Sequence, residues 1–105
     1  MPPQSVNILC LGDSYTIGTG AAYEDNFPNQ LTRRLREQSI PAAEPVIIAR
    51  NGWTSIDLLQ GIQASQVSGP FHFSTILIGV NDQYDGLSLA TYIDNFQNIL
   101  QLAVL

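Results

Sequence analysis

The sequence contains no lysine, and it has one cysteine and one histidine among 105 residues. Its four cationic side chains are arginines, and nine Asp and Glu residues give a formal net charge of -5. A surface that follows a nucleic-acid backbone needs several cations spread along one face, whereas three of these arginines cluster at positions 33, 34 and 36. The charge pattern therefore argues against a nucleic-acid partner, and a single cysteine excludes an intrachain disulfide.

Long apolar runs are also lacking. No segment approaches the ~20 apolar residues that a membrane span needs, and residues 1–4 (MPPQ) show no basic signal-peptide start. We expect no membrane span and a cytoplasmic location, although a secreted chain that had lost its signal peptide would look the same. The 45% hydrophobic and 12% charged composition is typical of a globular chain, and 105 residues form a single domain.

Short apolar segments alternate with segments of helical periodicity. Residues 6–11, 45–49 and 74–78 have the apolar, β-branched composition of buried strands. A predicted helix follows each strand, and their starts are marked by capping residues, which are Asp25 and Asn26, Thr54, and Ser88. This alternation predicts an α/β fold in which helices cover both faces of a parallel sheet.

Polar loops follow the three predicted strands. Since parallel strands deliver their following loops to the same edge of a sheet, we expect Ser14, Gly52 and Asn81 to meet there. A serine hydroxyl beside amide donors suits acyl transfer, in which the hydroxyl attacks a carbonyl carbon and the donors stabilise the oxyanion. Each loop alone is an ordinary turn; their order along the chain favours a site.

These residues carry a family resemblance. The run ILCLGDSYT (8–16), Gly52 and the run GVND (79–82) resemble the first three sequence blocks of the SGNH (GDSL-type) serine hydrolases. The resemblance extends from about residue 6 to the last helix. It implies a flavodoxin-like, three-layer α/β/α domain that cleaves small-molecule carboxylic esters without a metal or organic cofactor. It also implies that Ser14 is the nucleophile and that Ser14, Gly52 and Asn81 supply the oxyanion hole.

The fourth block of the family, an Asp-x-x-His near the carboxyl terminus, has no counterpart in the 105 residues. The one histidine, His72, precedes the third predicted strand, and seven extended residues place it about 23 Å from Gly79. Three strands are also fewer than the family's five. The resemblance thus implies a truncated domain, its Asp-x-x-His beyond residue 105, whose open sheet edge favours self-association.

Two alternatives remain from the sequence. The same crevice suits a non-catalytic module that binds an ester or a carbohydrate, or an inactive fragment. A phosphate or flavin site around Gly18 and Gly20 is the weaker alternative, because no Gly-x-Gly-x-x-Gly run or Walker-type lysine is present. The remaining polar and aromatic candidates receive structural interpretations: Asp13 and Asp82 stabilise loops, Asp57 and Thr54 start a helix, and Tyr15, Trp53 and Tyr84 flank the site.

Overall fold

Three parallel strands connected by helices form the domain. The computed structural model describes residues 5–65, 67 and 71–103. The strands are β1 (Ile8–Gly12), β2 (Val46–Ala49) and β3 (Phe73–Leu77). The helices are α1 (Ser14–Ile17), α2 (Phe27–Glu37), α3 (Ser55–Ser65), α4 (Val80–Tyr84) and α5 (Leu89–Ala103), with a 3₁₀ helix at Tyr23–Asp25.

Strand β1 lies in the middle of the sheet, whose order is β2-β1-β3. All five of its residues are buried, as expected of a parallel strand that is covered on both faces. Leu9 and Leu11 belong to the main apolar cluster, to which α3 contributes Leu58 and Leu59 and α5 contributes Ile99. Ile8 and Cys10, on the alternate face, are buried as well. The predicted α/β class with a parallel sheet is confirmed.

The predicted strands agree with the observed ones to within one or two residues. Strand β3 spans 73–77 rather than 74–78, and Val6 lies outside β1 in an isolated parallel bridge with Ala42. Three short helices that the sequence indicated only as loops are α1, the 3₁₀ helix and α4. Each has three to five residues, which is too short for a helical period of apolar residues to be recognised.

The predicted helix starts are confirmed at the level of hydrogen bonds. The Asn26 side chain accepts from the Asn29 backbone N–H at 3.1 Å, and the Ser88 hydroxyl accepts from the Thr91 N–H at 3.1 Å. Asp25, which was predicted to share the first cap, instead belongs to the 3₁₀ helix. These side chains satisfy N–H groups that have no partner within the first helical turn.

Several apolar side chains of β3 and α5 are exposed. Phe73 and Leu77 of β3 and Ile93 and Leu100 of α5 are exposed among the described residues. The self-association expected from an open edge stays a prediction. None of the helices within the described ranges is long and apolar enough to span a membrane, and the expected compartment also stays a prediction.

Gly12 should tolerate no larger side chain. A Cβ at this position would overlap the side chain of Thr16 and lie 2.8 Å from the Leu77 carbonyl oxygen. We predict that Gly12→Ala lowers the free energy of unfolding, measured in urea, at the upper end of the about 1–3 kcal/mol that overpacking costs. Gly20→Ala is the control: its positive φ of 93° strains any side chain, but the space around it is open, so this variant reports backbone strain without a clash. An equal loss in both variants would contradict the predicted clash.

Candidate active site

The three predicted site residues follow three neighbouring strands at one edge of the sheet. In the observed register Gly12 is opposite Ala49 on one side and Leu77 on the other. Ser14, two residues beyond Gly12, therefore begins between the loops that carry Gly52 and Asn81. The structure brings the three loops together at the carboxyl edge, where ligands bind in open parallel sheets.

A sharp strand-to-helix transition positions Ser14. The Asp13 side chain is 1% exposed and accepts a hydrogen bond from the Tyr15 N–H at 3.0 Å, which caps α1. This confirms the structural interpretation of Asp13. Ser14 is the first residue of α1 and is half-buried. Ser14 therefore lies at the edge of the sheet, in a position that a ligand can reach.

The backbone conformation at position 52 favours glycine. Its φ is 80°, in the left-handed region that favours glycine. The sequence alone suggested that glycine serves to let a substrate approach. Among the described residues, a Cβ here would meet no atom within 4 Å, so the space around Gly52 is open.

Asn81 is held in place by a hydrogen bond to the Gly52 loop. It is the second residue of α4, after Gly79, whose φ of 135° turns the chain out of the sheet. The Asn81 Nδ2 donates to the Trp53 carbonyl oxygen at 2.9 Å, across 28 residues of sequence. Because an amide nitrogen carries two hydrogens, this bond fixes the side chain and leaves its second N–H for another acceptor.

A cavity of about 410 Å³ opens beside Ser14. Its other lining residues are Tyr15, Gly18, Thr19, Ala21, Asp25, Asn26, Phe27 and Asn51. Of the three aromatic residues predicted to flank the site, Tyr15 lines this cavity. Trp53 instead packs against the apolar core and over Gly61, and Tyr84 is exposed away from the cavity lining.

His72 lies at the opposite end of the sheet. Its Nδ1 accepts a hydrogen bond from the Asn7 N–H at 2.9 Å, just before β1 begins. The five residue steps from Asn7 to Gly12 span about 16 Å of extended chain, so His72 is out of reach of Ser14. The expected exposed position at the amino-terminal edge is confirmed. In residues 5–65, 67 and 71–103, no three His, Cys, Asp or Glu side chains are grouped to hold a metal ion.

A buried polar network lies beside Gly52 and Asn81 in the sequence, at Ser55 and Asp82, and the sequence did not reveal it. Asp82, 3% exposed, accepts hydrogen bonds from the Ser55 N–H at 2.7 Å and from the Ser55 hydroxyl. The Asn95 Nδ2 in turn donates to the Ser55 hydroxyl at 3.1 Å. The loop-stabilising interpretation of Asp82 is confirmed. The available signal was Asn95 itself, a polar residue on the apolar face of α5.

Asp57 stabilises the same helix start locally. Its carboxylate accepts from the Thr54 N–H at 3.1 Å and from the Thr54 hydroxyl at 3.0 Å. The predicted pairing at the beginning of α3 is therefore confirmed. The start of α3 is therefore hydrogen-bonded to two carboxylates. Asp57 belongs to the same helix, and Asp82 belongs to α4.

Two groups near the sheet have altered proton affinities. Burial raises the pKa of the Tyr92 phenol, and the nearby negative charge of Asp82 raises it further. Burial also raises the pKa of the Cys10 thiol, against a smaller opposing effect of Thr75. The uncharged forms of both groups are therefore favoured in the folded protein.

Comparisons with known proteins identify the family of the chain. The model of the GDSL-like lipase/acylhydrolase family matches residues 10–104. The chain therefore belongs to the GDSL-like lipase/acylhydrolase family, which confirms the resemblance drawn from the three sequence blocks. A comparison with curated proteins found no significant match.

Solved structures show the same fold. The chain is similar to AlinE4, an SGNH-hydrolase family esterase, with 28% identity and a TM-score of 0.83 over 96% of this chain and 54% of that one. It is also similar to TesA, with 24% identity and a TM-score of 0.81 over 92% of this chain and 53% of that one. A third similar structure is the psychrotrophic esterase EstA from Pseudoalteromonas sp., with 20% identity and a TM-score of 0.79 over 90% of this chain and 51% of that one. The chain spans about half the length of these proteins.

Tyr92 should make the domain less stable at alkaline pH. Its phenol donates to the Ile78 carbonyl at 2.9 Å, and its pKa is raised on folding. The unfolded chain therefore loses the proton first, so this contribution is complete below the ordinary pKa of 10.0 and is lost as pH rises through the folded pKa. We predict that Tyr92→Phe loses about 1 kcal/mol at pH 7.

Urea unfolding of both proteins at pH 7 and at about pH 10.5 measures this effect. The difference in stability between wild type and Tyr92→Phe should shrink at the higher pH. A constant difference would contradict a role for Tyr92 ionisation.

Proposed function

We propose that the complete protein is a serine esterase that cleaves carboxylic esters through an acyl-Ser14 intermediate. The observation that carries this proposal is the register of the sheet, in which Ser14 follows the central strand and the Gly52 and Asn81 loops follow its two neighbours. Three hydrogen-bond donors, the backbone N–H groups of Ser14 and Gly52 and the free side-chain N–H of Asn81, then surround the carbonyl oxygen of a bound ester.

The chemistry follows from these positions. The Ser14 Oγ attacks the carbonyl carbon, its proton passes to a base, and the electron pair of the C=O bond moves to oxygen. The oxyanion is stabilised by the three donors until the C–O bond to the alcohol breaks and the alcohol takes up the proton. Water then attacks the acyl-Ser14 carbonyl by the same route, which releases the acid and restores the serine.

The base in this proposal is a histidine of an Asp-x-x-His outside the 105 residues. His72 is at the far end of the sheet, and Asp13 and Asp82 are committed to backbone N–H groups. Neither His72 nor these two aspartates therefore accounts for the activation of Ser14.

The cavity beside Ser14 suits one part of a small or medium ester. Its volume of about 410 Å³ is within the roughly 300–1,000 Å³ of small-molecule sites. The polar residues Thr19, Asn26 and Asn51 share its wall with the aromatic residues Tyr15 and Phe27. We therefore propose a neutral small-molecule ester as substrate; the similar structure AlinE4 is itself an esterase.

A non-catalytic module that binds an ester or a carbohydrate is the second candidate. The observation that favours it is the separation of His72 from Ser14, because a crevice without a base binds a substrate without turning it over. The two functions differ in whether turnover depends on Ser14.

Ester hydrolysis should depend on Ser14. We predict that the longest open reading frame containing this sequence hydrolyses p-nitrophenyl acetate, and that Ser14→Ala abolishes the activity. The 105-residue chain should be slower by on the order of 10⁶, since loss of one member of a catalytic triad typically has this effect. Ser88→Ala, which removes an exposed helix-capping hydroxyl, is the matched control. Ser14-dependent turnover by the short chain at the full rate would show that the base lies within these residues.

Asn81 should contribute mainly to turnover. Removing one oxyanion donor typically lowers kcat about 10²–10³-fold. We therefore predict a decrease of this size in Asn81→Ala with KM little changed, measured per titrated active site. Asn98→Ala, an exposed asparagine of α5, should leave kcat unchanged. An equal kcat in Asn81→Ala and wild type would remove Asn81 from the proposed oxyanion hole.

A further inference from the structure

The carboxylate of Asp82 connects parts of the chain that are distant in sequence. It accepts two hydrogen bonds from Ser55, 27 residues earlier, and the Ser55 hydroxyl accepts a third from Asn95, 40 residues later. All three side chains are buried. A buried carboxylate is costly unless its oxygens are hydrogen-bonded, and the bonds from Ser55 meet this requirement.

The network joins the two loops that hold the proposed oxyanion donors. Asp82 is the neighbour of Asn81, and Ser55 is three residues after Gly52. The bond from Asn81 Nδ2 to the Trp53 carbonyl runs between the same two loops. Two adjacent residues of α4, Asn81 and Asp82, are thus bonded to Trp53 in the Gly52 loop and to Ser55 at the start of α3, which fixes the position of α4 relative to the Gly52 loop.

Helix α5 supports this connection from behind. Asn95 reaches Ser55, and one turn earlier the Tyr92 hydroxyl donates to the Ile78 carbonyl oxygen at 2.9 Å. The Tyr92 ring also lies against Gly79, where an added Cβ would come within 3.0 Å of it. Helix α5 therefore contacts the segment just before Asn81 and, through Ser55, the start of α3.

We propose that Asp82 is a positioning residue of the oxyanion hole, acting through Ser55 on the Gly52 loop and through the backbone on Asn81. It donates nothing to the substrate itself. The inference deepens the proposed function and rests on it. Donors stabilise an oxyanion only when they are already in place, and a misplacement of about 1 Å can cost 10²-fold in rate.

The test compares Asp82→Asn with Asp57→Asn in the longest open reading frame containing this sequence. Asp57 is a matched control, because its carboxylate also accepts from a backbone N–H and a hydroxyl at the start of α3, but from Thr54 of the same segment. Asp82→Asn keeps the shape and removes the charge. We expect its kcat per titrated active site to fall by about 10–100-fold with KM nearly unchanged, while Asp57→Asn keeps the wild-type kcat.

A second readout is independent of turnover. In ¹⁵N-labelled protein, Asp82→Asn should shift the Asn81 side-chain NH₂ signals and the Gly52 amide signal, and Asp57→Asn should leave the Asn81 signals in place. If Asp82→Asn does not fold, Ser55→Ala takes its place, because it removes the hydroxyl bonds and retains the Ser55 N–H bond. A smaller shift and a smaller loss of kcat are then expected.

The outcomes separate the two proposals. Wild-type protein without Ser14-dependent turnover would refute the esterase proposal and with it the oxyanion-hole role of Asp82, and the NMR shifts would then test only whether Asp82 positions Asn81 and Gly52. Unmoved Asn81 signals in Asp82→Asn or Ser55→Ala would overturn the positioning role, whatever the activity. Equal losses of kcat in the Asp82 and Asp57 variants would also overturn it, since they would indicate a general effect of α3 stability.

Discussion

The pairing of β1 with both of its neighbours is the constraint on which the rest of the structure depends. Because β2 and β3 both align with Gly12 at their ends, the chain leaves the sheet three times at one level. Burial of all five β1 residues makes a slip in register costly, since it would disturb the close packing of side chains on both faces of the strand. The register of the buried sheet thereby sets the distance between Ser14 and the loops that carry Gly52 and Asn81.

The register sets where the loops begin but does not set their conformations. Buried polar contacts restrict those conformations. Asp13 caps α1 under Ser14, and Asp82 ties the Asn81 loop to Ser55. The two carboxylates lie next to the residues that we assign to chemistry. In this account rigid positioning comes from the aspartates, and the reacting groups remain at the accessible edge.

Much of this organisation could be predicted from the sequence. The strands, the three longer helices, the caps at Asn26, Thr54 and Ser88 and the meeting of three loops follow from local apolar patterns and capping residues. The link between Ser55, Asp82 and Asn95 could not be predicted, because it joins side chains that are 27 and 40 residues apart. The short helices α1 and α4 were also missed, since so few residues carry no periodicity, and the loop conformation at Gly52 required the backbone angles.

We propose that Ser14 is the nucleophile and that a base activates its hydroxyl. Incubating the longest open reading frame that contains this sequence with a fluorophosphonate ester, followed by peptide mapping in a mass spectrometer, tests it most directly. We predict that Ser14 acquires a phosphonyl group and that the Ser14→Ala variant acquires none. Phosphonylation of another residue, or of none while ester turnover continues, would contradict it.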